Sequence, residues 1–267
     1  MEQKRGIENG MIEINYPDFE RSSTMRTKIA VLADIHSNKA ALDAALGEID
    51  ADPSISHIYC LGDMIAIGHE TNGVLETLFS RKDVTLISGN HDEGVVAAGN
   101  GGPIPEGSAE GERAHHEWVA SGLDPKFTPQ LEALEKELLI EIEGRMVLFT
   151  HYHLDSDKQI LPIDTEPSGE KLDAQYAGYP ADIVCFGHHH PVHYFKTIDR
   201  IYINPGSLGC CDEPYGRYAT ITFGSDIDVE LKKAHYENKA FLAGYEEQDV
   251  PEKDFILEMF HGNQHLK

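Results

Sequence analysis

The sequence predicts an α/β fold built on a parallel sheet, and three observations predict it. Three apolar runs, residues 29–32, 55–61 and 84–87, alternate with segments of helical periodicity. Strands that alternate with helices in this way pair in parallel through right-handed crossovers. The first run, Ile29-Ala30-Val31-Leu32, is apolar at every position, the pattern of a strand covered on both faces. Each run also stops at residues that carry chemistry: Asp34-Ile35-His36-Ser37-Asn38, then Gly62-Asp63, then Ser88-Gly89-Asn90-His91-Asp92. In open α/β sheets, ligands bind beyond the carboxyl ends of the strands.

The elements follow in order. Residues 1–24 are polar without a period and are expected to be a poorly ordered extension to a single domain over 25–250. After the first strand, Ala41, Leu42, Ala45, Leu46 and Ile49 share one helical face that begins at Ser37 or Asn38. Val74, Leu75, Leu78 and Phe79 mark a second helix. Residues 94–129 change character, with a Gly99-Asn100-Gly101-Gly102-Pro103 loop and a short helix over 110–120, and are expected to be a lid-like insertion. His115-His116-Glu117 lies there, but position 120 is Ala, so the H-E-x-x-H zinc pattern fails and surface or lid histidines are expected. A helix is expected over 129–138, then a hairpin of residues 140–142 and 146–149 ending in Thr150-His151. A helix over 172–176 leads to the run 183–186 and to Gly187-His188-His189-His190. Two further pairs of strands (193–198 with 200–203, then 218–223 with 229–233) and a helix complete the domain, with 251–267 as a short docked tail.

Composition narrows the function. The 267 residues carry a formal net charge of −24. Such a charge opposes stable binding to nucleic acid or to an anionic membrane. The amino terminus has no apolar leader core and no long apolar span follows, so a cytoplasmic location is expected. Cys60 and Cys185 fall within apolar runs and read as core residues, while adjacent Cys210 and Cys211 lack zinc spacing.

Five run ends therefore present metal-competent side chains: Asp34 and His36, Asp63, Asn90 and His91, His151, and His188 with His190. Residues two apart on extended backbone project to the same side, which would aim Asp34 with His36 and His188 with His190. Alone, D-x-H reads equally well as a helix cap followed by a turn histidine. Five such endings at one sheet edge make a metal site the better account. Mixed carboxylate and imidazole donors suit manganese, iron or zinc over calcium.

In this order, D-x-H, G-D, G-N-H-D, a strand-end His and G-H-x-H resemble the motifs of the calcineurin-like metallophosphoesterase superfamily, over about residues 27–245. The Asn204-Pro205-Gly206-Ser207-Leu208-Gly209 turn and the helix after it are similar to the small prokaryotic phosphodiesterase branch. The resemblance implies two facing sheets with helices outside, an αββα sandwich with a dinuclear site at the strand ends. It implies Asp34, His36 and His190 on one divalent ion, Asn90, His151 and His188 on the other, and Asp63 between them. His91 would face the leaving oxygen while a metal-bridging hydroxide attacks a small phosphoester or nucleotide, most plausibly a diester, with manganese as the expected ion and iron or zinc as alternatives.

Two departures qualify the substrate. No arginine follows Gly62-Asp63, so the phosphate-clamping arginine of protein phosphatases and symmetrical dinucleoside tetraphosphatases is missing. Cys210-Cys211-Asp212-Glu213-Pro214 replaces the Q-P-R often found after the N-P-G-S turn, leaving Arg217 further on. Asn38, His153 and Arg217 are the candidates for substrate contact. The rival readings are an asymmetric dinucleoside-polyphosphate hydrolase and a non-catalytic scaffold resembling the retromer subunit of this fold. No P-loop, G-x-G-x-x-G or G-x-S-x-G motif offers another chemistry.

Overall fold

The computed structural model describes residues 26–102 and 110–267. The expected extension over 1–24 lies outside the described residues. The chain runs β1 (Lys28–Leu32), α1 (Lys39–Asp50), β2 (Ile55–Cys60), α2 (Thr71–Ser80), β3 (Val84–Leu86), α3 (Asn90–Gly99), α4 (Glu110–Gly122) and α5 (Thr128–Glu132). It continues with β4 (Glu137–Ile142), β5 (Arg145–Thr150), α6 (Gly169–Gln175), β6 (Ile183–Cys185), β7 (His193–Lys196) and β8 (Ile201–Asn204). β9 (Tyr215–Thr222), β10 (Asp228–His235), α7 (Lys239–Glu247) and α8 (Lys253–Met259) close it.

Two five-stranded sheets form, in the orders β10-β9-β1-β2-β3 and β4-β5-β6-β8-β7. β1, β2 and β3 pair in parallel, as do β5, β6 and β8, while β9, β10, β4 and β7 add antiparallel partners. The sheets face each other because β1 alternates: Ile29, Val31 and Ala33 pack with Phe149, Ile183, Cys185 and Ile203 of the second sheet. Tyr59 and Phe149 stack across this layer, with centroids 4.0 Å apart and planes 8° from parallel. Ala30 and Leu32 point the other way, onto α1 and α2. On the far side Leu148, Val184 and Tyr202 pack with Leu172 and Tyr176 at α6. The result is the αββα layering.

Three expectations change. The helix expected over 129–138 stops at Glu132, and Leu138 instead pairs with Phe149 in β4. The Leu131, Leu134 and Leu138 spacing suits a helix, but burying Leu138 between the sheets overrides propensity. The helix that starts at Asn90 runs on to Gly99, through the point where the sequence suggested the insertion begins. Residues 253–259 of the tail form a helix, docked through Ile256 and Leu257 onto Phe241 and Tyr245. Among the described residues, no helix is long and apolar enough to cross a membrane.

Candidate metal centre

The carboxyl ends of β1, β2, β3, β5 and β6 converge on one edge, and the loops beyond them hold the candidate ligands. The convergence is not the extended-strand geometry that the two-residue spacing suggested. Asp34, His36, Asp63, His188 and His190 all adopt left-handed backbone, with φ of 55°, 48°, 51°, 66° and 66°. A residue with a Cβ held there costs about 1–3 kcal/mol. Bonds between the loops hold them in place. Asp34 N donates to Gly62 O (3.2 Å), His36 N to Asp63 O (3.0 Å), and Ser207 Oγ and Gly209 N both donate to Asp34 O (2.8 and 2.9 Å). Glycine is required at two of these approaches: a Cβ on Gly89 would lie 2.2 Å from Asp63 Oδ1, and one on Gly209 would lie 1.8 Å from Ile35 O.

Within this frame the donor atoms nearly touch. His36 Nε2 is 2.9 Å from His190 Nε2. His151 Nε2 is 3.2 Å from Asp63 Oδ2 and 3.0 Å from Asn90 Oδ1. The Asp63, His151 and His188 donors lie within 4.8 Å of one another, as do those of Asp34, His36 and Asp63. Asp63 thus stands in both groups. The other nitrogen of His151 bonds Leu61 O at 2.7 Å, which fixes the ring. Both Asp34 oxygens accept from His188 N at 3.0 Å, tying the first sheet's loop to the second's.

The electrostatics suit a cation. Asp34 and Asp63 are 0 % and 1 % exposed. Among the described residues neither pairs with a lysine or arginine, and the ion-pair partners of Asp63 are the histidines His36 and His151. Burial pushes Asp34 up to about 7, with the Asp63 charge adding to the effect. Burial also opposes the Asp63 charge, but His151, His91 and His36 hold that carboxyl well below its usual range. Burial pulls His151 down, yet Asp63 outweighs it and raises the imidazole to about 9. Burial pushes His36 well down, His188 to about 4 and His190 to about 3. Three uncharged imidazoles and a fourth whose proton a cation would displace, beside carboxylates with no basic side chain among the described residues, are the donor set of a divalent metal site. Among the described residues His36 Nδ1 is left buried without a partner.

The other candidates sit as follows. Asn38 caps α1, accepting from Ala41 N (3.0 Å) and donating to Gly209 O and Tyr236 Oη (both 2.9 Å), so its amide is committed to the scaffold. His153 Nδ1 pairs with the Tyr176 hydroxyl at 2.8 Å, away from the ligand cluster. Arg217 reaches the Gly206 turn beside His190 O, and its guanidinium carbon stands 5.4 Å from the Tyr215 ring centroid. His91 is anchored by its own N, which donates to Asp63 Oδ1 at 2.8 Å, and its ring meets His36 edge-on at 5.3 Å.

His116 and Cys210 stand closer to the site than the sequence suggested. His115 and His116 are not at the surface but 4 % and 1 % exposed, and His116 Nε2 lies 2.8 Å from His91 Nδ1. Cys210, which lacks zinc spacing in the sequence, has its sulfur within 4.8 Å of the His36 and His190 donors, and burial pushes its thiol up. No spacing rule connects either to the motifs. For His116 the signal was the glycine at 94, discussed below.

Comparison with known proteins shows the family and the fold. The family model described as the calcineurin-like phosphoesterase superfamily domain matches residues 27–226. An uncharacterised protein of Methanocaldococcus jannaschii is 25 % identical over 249 residues, covering 85 % of this chain and 96 % of its own. A hypothetical protein from Pyrococcus horikoshii OT3 shares the fold, with a TM-score of 0.74 at 19 % identity over 88 % of this chain and 98 % of that one. So does a metallophosphoesterase from Sphaerobacter thermophilus, at 0.67 and 20 % identity over 86 % and 96 %.

Proposed function

The chain belongs to the calcineurin-like phosphoesterase superfamily, and from that premise we propose that it hydrolyses small phosphodiesters at a dinuclear divalent-metal centre. The observation that carries the proposal is Asp63, whose carboxylate shares donor distance with His151 and His188 on one side and with Asp34 and His36 on the other. A carboxylate in both groups is placed to bridge two ions. Asp34, His36 and His190 then hold one ion, and Asn90, His151 and His188 the other. When bound, two such ions activate water and clamp the oxygens of an in-line displacement. Manganese is the first ion to supply, followed by iron and zinc.

The chain's own residues do the rest. Asn90 and Asp63 are held by the Gly89 turn, and His91 sits beside His36 where a departing oxygen would lie. The charge balance favours a diester. A monoester approaches a dianion at neutral pH, and its enzymes usually add an arginine fork. The five strand-end motifs contain no lysine or arginine, and the chain carries −24 overall. A singly charged substrate is repelled less.

Steady-state kinetics of the manganese-loaded protein on bis(p-nitrophenyl) phosphate and p-nitrophenyl phosphate test this reading. A higher kcat/KM for the diester is expected. Equal or better monoester turnover would remove the diester assignment and leave a phosphoesterase with cationic groups reaching in from elsewhere.

A further inference from the structure

His116 belongs to no strand-end motif, yet it touches the one candidate catalytic histidine. It stands on α4, and its Nε2 lies 2.8 Å from His91 Nδ1, with ring centroids 5.0 Å apart and planes at 79°. The contact depends on Gly94. A Cβ there would lie 2.6 Å from Cε1 and 2.7 Å from Nδ1 of His116. α3 therefore opens a slot about one turn after His91, and α4 fills it with an imidazole that is 1 % exposed. Among the described residues, buried His116 Nδ1 has no hydrogen-bond partner there.

That orphan decides which ring donates. A neutral imidazole carries one N–H. With the hydrogen on Nδ1, His116 would bury a donor with nothing to accept it, the rarer and costlier kind of orphan. With the hydrogen on Nε2, only a lone pair goes unpaired, and Nε2–H donates to His91 Nδ1. A doubly protonated His116 would donate from Nε2 as well, so the direction does not depend on its charge. His91 Nδ1 then accepts, which places the His91 hydrogen on Nε2. Among the described residues His91 Nε2 has no hydrogen-bond partner of its own.

We propose that His116 is a positioning residue that orients the His91 ring by donating from Nε2 to His91 Nδ1, so that the His91 hydrogen stands on Nε2. His91 Nε2–H is then aimed to stabilise the departing oxygen by a hydrogen bond. The tautomer stands on the contact and on the orphaned His116 Nδ1; its use at a leaving oxygen rests on the phosphoesterase reading above.

Nitrogen-15 histidine labelling of the zinc-loaded protein, read by long-range proton–nitrogen correlation, tests the tautomer without any turnover. His91→Ala identifies the His91 resonances by their loss. The expected wild-type pattern is an unprotonated Nδ1 and a protonated Nε2 on His91. The pattern should persist in His116→Gln, whose amide can donate to Nδ1, and give way to mixed tautomers in His116→Ala. A protonated Nδ1 on wild-type His91 would overturn the proposal, and so would an unchanged pattern in His116→Ala. A third zinc per chain, lost in His116→Gln, would also overturn it. His91, Glu112 and His116 have donor atoms within 4.8 Å of one another, and both rings would then ligate an ion instead of each other. In turnover, His116→Ala should lower kcat by about 10–100-fold on an alkyl diester and much less on bis(p-nitrophenyl) phosphate, whose leaving group needs little help. An equal loss on both substrates would contradict the role at the leaving oxygen while leaving the tautomer to the spectra.

Discussion

His36 Nε2 and His190 Nε2 face each other at 2.9 Å across 154 residues of chain. Burial keeps both imidazoles uncharged, so without a cation one nitrogen must donate to the other. A divalent ion accepts both lone pairs at once and replaces that single bond. Binding to the folded state alone stabilises it, by about 2.7 kcal/mol at a hundredfold excess over Kd. Chelation should therefore lower the melting temperature by roughly 5–10 °C for a domain of this size. Scanning calorimetry before and after dialysis against chelator reads this directly, and an unchanged transition would speak against a filled site.

Asp63→Ala should remove both ions, whereas His190→Ala should weaken one. Loss of the shared carboxylate leaves two half-sites, each short of charge and of a ligand. Elemental analysis of the purified variants decides the point. Two ions retained at full occupancy in Asp63→Ala would remove the bridging assignment.

Gly89→Ala tests whether the turn positions Asp63. The added Cβ would stand 2.2 Å from Asp63 Oδ1 and 2.3 Å from Asp63 N, so either the loop or the carboxylate must move. A cost of roughly 2–4 kcal/mol is expected, together with lost metal. Urea denaturation and metal content should change together; a variant with full metal and wild-type stability would show that the loop relaxes at no cost.

Acid sensitivity follows from two buried histidines outside the centre. Burial pushes His153 and His261 down to about 4 from 6.5, and each is paired with a tyrosine hydroxyl at 2.8 Å. Above 6.5 neither the folded nor the unfolded chain protonates them, and their contribution is flat. From 6.5 down to about 4 the unfolded chain binds more protons, so stability falls with pH, by at most about 1.4 kcal/mol per unit for each. Urea midpoints should drop between about pH 7 and pH 5, and His261→Gln should flatten the slope. A slope identical to wild type would show that His261 does not carry the effect.

The first sheet's parallel half was legible in the sequence because its strands are apolar runs that stop at polar turns. The candidate ligands stood out for the same reason: Asp34, Asp63, Asn90, His151 and His188 all lie within three residues of the end of such runs. How they converge was not. The two-residue spacing of Asp34 and His36 suggested extended backbone, but both adopt positive φ, stabilised by loops whose partners lie far along the chain. Local periodicity also misplaced Leu138, whose strand exists only because β5 is there to pair with it. His116 was hidden for a related reason. Its partner is 25 residues away, and the sign of the contact is the missing side chain at Gly94.

A phosphoesterase that works through these ligands needs two ions. Titration of manganese into chelator-stripped protein, following hydrolysis of bis(p-nitrophenyl) phosphate, reads that requirement. Turnover should be absent at the start and reach its plateau at two bound ions per chain. In Asp63→Ala it should stay absent at every manganese concentration. Turnover by the stripped protein, or a plateau at one ion, would contradict the account.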